Sequence, residues 1–350
     1  MMPGYFSMEC RVVVRRFIAW ILVLVLAVGA VAAWWLQASM PMRPRPGVAA
    51  DQPLELAIDP GTTPRGVAQA VAAAGVAIDP RVLYAWFRVS GKDRLIKAGN
   101  YEIPVGTTPY GLLQKLVRGE EALRAVTLVE GWNFRQVRQA LGREDQLKHD
   151  TAGLTDAEIM QRLGRPGVPP EGRFFPDTYN YFKGTSDLAL LRRALHAMDH
   201  RLEAAWAQRA PDTPLKSADQ ALILASIVEK ETGRASDRAQ IAGVFVNRLR
   251  AGMLLQTDPT VIYGMGEKFD GNLRRRDLLT DTPWNTYTRP GLPPTPISMP
   301  GKASLLAAVQ PERTNALYFV SRGDGSSQFS PTLDEHNRAV NRYQRGQTQQ

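Results

Sequence analysis

The sequence predicts an α+β protein in three parts: an N-terminal transmembrane helix, a small α/β module and a larger mixed α+β domain. Three observations carry that prediction. A charge-free apolar stretch runs from Phe17 to Leu36, a strand-turn-helix unit recurs three times between residues 54 and 134, and long helical patterns between Asp187 and Gly252 give way to a loop-rich C-terminal part. At 350 residues the chain can fold as two or three units, each with its own core.

Arg11, Arg15 and Arg16 stand before the apolar stretch, and Trp34-Trp35 close it. Roughly twenty apolar residues at about 1.5 Å each span a bilayer core, and a tryptophan pair suits the interface. The rival reading is a cleaved signal peptide, with Ala38-Ser39-Met40 as a weak site; the stretch is longer than the usual apolar region of about 7 to 15 residues. Arginines ahead of the span place residues 1–16 in the cytoplasm, 17–36 in the membrane, and the bulk of the chain outside it. The one cysteine, Cys10, falls on the cytoplasmic side, so the exported part uses no disulfides. A net charge of +9 and a pI near 9.8 call for an anionic partner. Outside the membrane that points to lipid headgroups or an acidic cell-wall polymer and not to nucleic acid.

Residues 37–51, rich in proline and small side chains, read as an extended tether. The repeat follows. Leu54 to Ile58 alternates as a strand does, and Gly61-Thr62-Thr63-Pro64 opens a helix through Ala74, with Thr63 as N-cap and Pro64 at N1. Tyr101 to Pro104 with Gly106-Thr107-Thr108-Pro109 repeats it, and Val126 to Val129 with Gly131-Trp132-Asn133-Phe134 is a looser third copy. Modules of this kind resemble LysM carbohydrate-binding domains, and a plain α+β structural module fits the same pattern. Residues 52–122 are taken as this LysM-like domain, 123–345 as the second domain, and 346–350 as a tail.

In the second domain, polar residues 142–170 with Thr155-Asp156-Ala157-Glu158 predict short capped helices, and Glu171 to Tyr179 is aromatic and turn-rich. Helices are expected over Asp187–Gln208 and Asp219–Thr232. A third runs from an N-cap at Ser236 to a C′ residue at Gly252, burying Ile241, Val244, Phe245 and Leu249. Beyond Asp281, Trp284-Asn285-Thr286-Tyr287 and the proline-rich 291–296 predict loops, followed by a strand over Leu317–Ser321 and a closing helix over Thr332–Arg345.

Several chemistries have no residues to carry them. The exported part has no cysteine nucleophile, and the chain shows neither a phosphate-binding glycine loop nor a zinc signature, so no metal or cofactor is expected. His196 and His200 share a helix face, but arginines surround them and no third ligand is near in sequence. Ser226 lies mid-helix without a strained elbow. Carboxylates remain. Leu224, Ile227, Val228 and Glu231 fall at i, i+3, i+4 and i+7, so Glu231 extends an apolar stripe while Glu229 points to roughly the opposite side. A carboxyl in an apolar setting holds its proton to higher pH, as a general acid must. The same segment also reads as the charged end of a core helix stopped by Gly233. Glycosidases normally use two carboxyl groups, and one suffices when a hydroxyl of the sugar is the nucleophile.

Ala225 to Thr232 (ASIVEKET), Val244 to Leu249 (VFVNRL), Leu255 to Gly264 (LQTDPTVIYG), Asn285-Thr286-Tyr287 and Gly291-Leu292-Pro293-Pro294 closely resemble the YceG-like endolytic murein transglycosylases, the MltG family. Leu128-Val129-Glu130-Gly131 and Phe175-Pro176-Asp177-Thr178 match as well. The resemblance implies a single-pass protein of the inner (plasma) membrane with a LysM-like module and its bulk in the periplasm, acting beside the penicillin-binding protein synthases. It would cleave within peptidoglycan strands and leave 1,6-anhydromuramic ends. The resemblance makes Glu231 the catalytic residue. Gln256, Thr257, Asp258, Asn285 and Tyr287 suit contacts to sugar hydroxyl and N-acetyl groups, although Thr257-Asp258-Pro259 also reads as a helix cap. Two other readings stay open: a non-catalytic wall-binding scaffold for the synthases, and a hydrolytic muramidase with Asp258 as its second carboxylate.

Overall fold

The computed structural model describes residues 16, 18–31, 40–46 and 53–345. Residues 18–31 form a helix, α1, with exposed side chains. Among the described residues no helix is long and apolar enough to cross a membrane. The expected span over 17–36 is described only in part, and residues 32–39, most of the tether and the tail lie outside the described residues. The chain divides into two compact units between Leu123 and Arg124.

The first unit runs β1 (Leu54–Ile58), α2 (Pro64–Ala73), α3 (Pro80–Val89), β2 (Gly99–Ile103) and α4 (Pro109–Arg118). The two strands pair antiparallel, from Leu54 opposite Ile103 to Ile58 opposite Gly99. Leu56, Ile58, Tyr101 and Ile103 face a core shared with Val67, Val71, Leu83, Phe87, Leu112 and Leu116. The repeat is real at the level of backbone chemistry. Gly61, Gly106 and Gly131 all take the left-handed conformation, with φ of 85°, 83° and 76°, and each turn feeds a capped helix. Thr63, Thr108 and Asn133 accept from the backbone N–H three residues on, at 3.2, 3.0 and 3.0 Å. Helix α3, capped by Asp79, was not expected; it fills the stretch between the first two copies.

The third copy opens the second unit as β3 (Arg124–Thr127) and α5 (Phe134–Gly142). After α6 (Asp156–Arg162), whose Thr155 and Glu158 form the expected capping box, β4 (Thr178–Tyr181) pairs antiparallel with β3. Helices α7 (Asp187–Ala207), α8 (Ala218–Glu231) and α9 (Ala235–Arg250) follow near their expected positions, then α10 (Asp258–Met265) and a short α11 (Arg275–Leu279). The region beyond Asp281 is not all loop. It holds α12 (Lys302–Val309), buried against α8 and α9, because Leu305, Ala307, Ala308 and Val309 give a helix apolar on most sides and so without a legible period. Strands β5 (Tyr318–Ser321) and β6 (Ser327–Ser330) form a hairpin, and α13 (Leu333–Val340) ends in a π turn over Asn341–Arg345.

Helix α8 is the axis of this unit. Every residue from Ala221 to Val228 is buried, among side chains of α7, α9 and α12. Ser226 explains part of that enclosure: its hydroxyl accepts from Ile297 N at 3.0 Å and its carbonyl accepts from the Ser298 hydroxyl at 3.1 Å, pinning the 297–298 segment to the helix.

Candidate active site

Helix α8 ends at Glu231 because Thr232 turns extended, with φ −147° and ψ 132°; Gly233 has no left-handed backbone and is not the stop. The two glutamates at this end have separate partners. Glu229, which the stripe sets on roughly the opposite side of α8 from Glu231, is not in solvent either. Its side chain is 7% exposed, accepts from Gly301 N at 2.9 Å at the start of α12, and lies 4.0 Å from Arg238. A carboxylate at a helix start with a cation beside it is a structural anchor. The stripe could not separate the two residues because α8 is buried on all its faces; their partners do.

Glu231 opens into a cavity of about 460 Å³ shared with Arg248, Gln256, Asp258, Tyr287, Tyr318 and His336. Burial pushes its carboxyl up to about 7. Asp258 pushes the same way, while the Thr257 hydroxyl, which donates to the Glu231 carboxylate, and Arg248 pull it down. Thr257 is the N-cap of α10, yet its side chain makes no capping bond; the hydroxyl that would close the helix is given to Glu231 instead. Pro259 sits in the first turn, where no N–H is needed.

The loop over 281–289 fixes that corner. Thr286 accepts from Thr257 N at 3.1 Å and bonds the Thr260 hydroxyl at 2.8 Å, and its carbonyl accepts from Gln256 N at 3.1 Å. Gln256 itself has φ 49°, the only non-glycine positive φ among the described residues, so the chain is strained right beside Thr257. Of the five residues expected to touch a sugar, Gln256, Asp258 and Tyr287 line the cavity. Thr257 is buried behind it, facing Glu231. Asn285 is not at the cavity. It is fully buried, its amide nitrogen donates to Leu278 O and Thr280 O at 3.0 and 2.7 Å, and its oxygen accepts from Tyr287 N at 2.8 Å. It shapes the loop that presents Tyr287, whose hydroxyl donates to Asp258 at 2.6 Å.

Sequence reasoning passed over Arg248, Tyr318 and His336. Arg248 is 8% exposed; its guanidinium donates to Leu317 O at 2.7 Å and Leu255 O at 2.9 Å and lies 5.1 Å over the Tyr318 ring. A signal existed: Arg248 stands at i+7 from Ile241 and i+4 from Val244, a cation on the stripe that α9 buries. Tyr318 stacks on His336 with centroids 5.2 Å apart. Burial and the Arg248 charge hold the imidazole below its usual range, so it is neutral at pH 7. No sequence pattern links α13 to α8, so His336 had none to offer. His196 and His200 are exposed on α7.

A half-enclosed carboxyl with a raised proton affinity, beside hydroxyl, amide and aromatic groups, is the equipment of a glycan-processing site. The chain belongs to the YceG-like family, whose sequence model matches residues 56–342. It is 33% identical over 264 residues to the endolytic murein transglycosylase of Bacillus subtilis, covering 71% of this chain and 73% of that protein. The enzyme of the same name from Streptococcus pneumoniae is 28% identical over 285 residues, covering 70% of this chain and half of that longer protein. A crystal structure of a yceG-like protein from Listeria monocytogenes superposes with a TM-score of 0.53 at 28% identity, covering 82% of this chain and 98% of that one.

Proposed function

We propose that the chain is an endolytic lytic transglycosylase that cuts the MurNAc-GlcNAc bond within peptidoglycan strands, with Glu231 as acid and then base. The observation that carries this reading is the Glu231 carboxyl, protonated up to about pH 7 in a cavity where the only other carboxylate among the lining residues, Asp258, is engaged by the Tyr287 hydroxyl. One acid suffices. Glu231 gives its proton to the leaving glycosidic oxygen as the C1–O bond breaks; the muramic C6 hydroxyl bonds C1 and returns its proton to Glu231. Water is neither added nor lost, and a 1,6-anhydro end results. The names of the Bacillus and pneumococcal relatives support the reaction class and the murein substrate.

In this reading Gln256, Asp258 and Tyr287 contact the sugar, while Thr257 and Asn285 position Glu231 and Tyr287. The apolar stretch over 17–36 anchors the protein in the plasma membrane with its catalytic unit outside, and the basic charge favours the wall polymer and membrane surface. The β-α-α-β order of the first unit supports a LysM-like module, and strand cutting beside penicillin-binding protein synthases would terminate nascent chains. The test is product mass on purified glycan strands. Anhydro ends, lighter by one water than hydrolysis products, are expected from the wild type and none from Glu231→Gln. Reducing muramic ends would make it a muramidase, and a Glu231→Gln protein that keeps its biological effect would make it a scaffold.

A further inference from the structure

Glu231 and Lys230 are consecutive, yet they line different cavities. Lys230 faces a cleft of about 1170 Å³, more than twice the volume at Glu231, walled by Phe134, Tyr263, Phe269 and Trp284. Helix α10 forms part of both: Asp258 lines the smaller cavity and Pro259, Ile262 and Tyr263 the larger. At the cleft is Glu171, 6% exposed, whose carboxylate accepts from Phe134 N at 3.1 Å and from the Tyr263 hydroxyl at 3.0 Å. Trp284 and Tyr263 meet edge to face at 5.4 Å, and the indole N–H donates to Thr295 at 2.9 Å, so both rings are held in place while staying partly exposed. Arg135 and Glu267, both at the cleft, pair at 2.5 Å.

Fixed, partly exposed aromatic surfaces recognise sugar rings through their apolar faces, and the Arg135 and Glu267 side chains at the cleft offer hydrogen-bonding groups to sugar hydroxyls. Endolytic cutting adds a requirement: a strand severed inside its length occupies the enzyme on both sides of the scissile bond. The cavity at Glu231 is the smaller of the two. We infer that the cleft between α5 and α10 is a distal glycan subsite, in which Tyr263, Phe269 and Trp284 hold sugars of the same strand remote from the bond at Glu231. This rests on the proposed function for the choice of ligand, but its binding does not depend on catalysis.

The experiment measures Kd of full-length Glu231→Gln protein for peptide-free glycan strands of increasing length, and KM of the wild type on the same set. Affinity is expected to rise with length until the strand fills the cleft, and Trp284→Ala is expected to weaken binding of long strands about tenfold, leaving Kd independent of length. Trp284 packs on the core, so Phe269→Ala, at a ring outside the core clusters, is the second variant and is expected to act in the same direction. Length-independent binding by the unmutated cleft overturns the inference, as does an unchanged length dependence in folded cleft variants. An effect seen only with peptide-bearing strands also overturns it, assigning the cleft to stem peptide. Failure of the proposed function is separate: wild type would then yield no anhydro ends at any length while the length-dependent Kd persists.

Discussion

Replacing Thr257 by valine tests whether the α10 cap hydroxyl tunes the acid. Valine keeps the side-chain volume in a site only 2% exposed and leaves the Thr257 N–H on Thr286, so the change removes one hydroxyl and its bond to Glu231. A hydrogen bond to a charged acceptor is worth about 1.5–3 kcal/mol, and one pKa unit is about 1.4 kcal/mol. That bond favours ionised Glu231 and pulls its carboxyl down towards about 7, so its loss moves the carboxyl up by roughly one to two units. A general acid acts while protonated, so kcat/KM falls as pH rises through its pKa. In the variant that fall should begin roughly one to two units higher, and the plateau below it should drop because the carboxyl loses a fixed orientation. Thr257→Ser, which keeps the hydroxyl, should return both the midpoint and the plateau towards wild type. The assay is release of anhydromuropeptides across pH 5 to 10, roughly spanning the expected range. A valine variant with an unshifted midpoint would show that Thr257 does not govern this proton.

Other outcomes follow from the same geometry. Glu231→Gln should cut strand cleavage by at least about a hundredfold with little change in melting temperature, whereas Glu229→Ala, which strips Gly301 N and Arg238 of their partner, should cost about 1–3 kcal/mol of stability in denaturant melts. Burial raises the Glu171 carboxyl from 4.5 to about 7, so its contribution to stability is complete below about pH 4.5 and is lost as pH climbs to about 7. Glu171→Gln should remove that loss, about 3 kcal/mol, and shrink the pH dependence of the melting temperature over this window, leaving the part due to Glu231, whose carboxyl is also raised to about 7. Gly243→Ala would put a Cβ 2.5 Å from the Glu312 carbonyl oxygen, so α9 or the 312 segment must shift, and a loss of about 1–3 kcal/mol is expected on thermal melting.

What the sequence disclosed was local. The caps at Thr63, Thr108, Asn133 and Thr155 are bonds between residues three apart, and the structure has each of them. Period also served where one face is wet, as over α7. It failed where a helix is enclosed: α12 carries no stripe to read, and on α8 the stripe says nothing of the environment of Glu229 because packing surrounds the whole cylinder. The partners of Glu231 lie well along the chain in Arg248, Thr257, Asp258 and Tyr287, on elements whose meeting depends on tertiary packing. Asn285 shows the cost of reading polarity as function. A polar residue in a turn-rich motif can spend every donor and acceptor on the backbone of its own loop.

The charges around Glu231 explain how one carboxyl can serve in both directions. Asp258 raises and Arg248 lowers its proton affinity, opposing influences that leave burial in command. With Glu231 protonated, the aspartate and the arginine balance and the cavity is neutral; with Glu231 ionised it carries one uncompensated negative charge. In the proposed cycle that charge is exposed only while the C1–O bond is broken, when the sugar ring is oxocarbenium-like and positive. The cavity is therefore complementary to the charge of the transition state and not to that of either resting state. Closure of the anhydro ring discharges the sugar and returns the proton, restoring neutrality. Arg248→Met would unbalance this arrangement. Without the guanidinium the Glu231 carboxyl would hold its proton to higher pH, a weaker acid and a stronger base, so protonation of the leaving oxygen should slow while the fall of cleavage with rising pH moves upward. A variant with the wild-type cleavage rate and an unshifted pH midpoint would show that Arg248 serves only to pack β5 against α9.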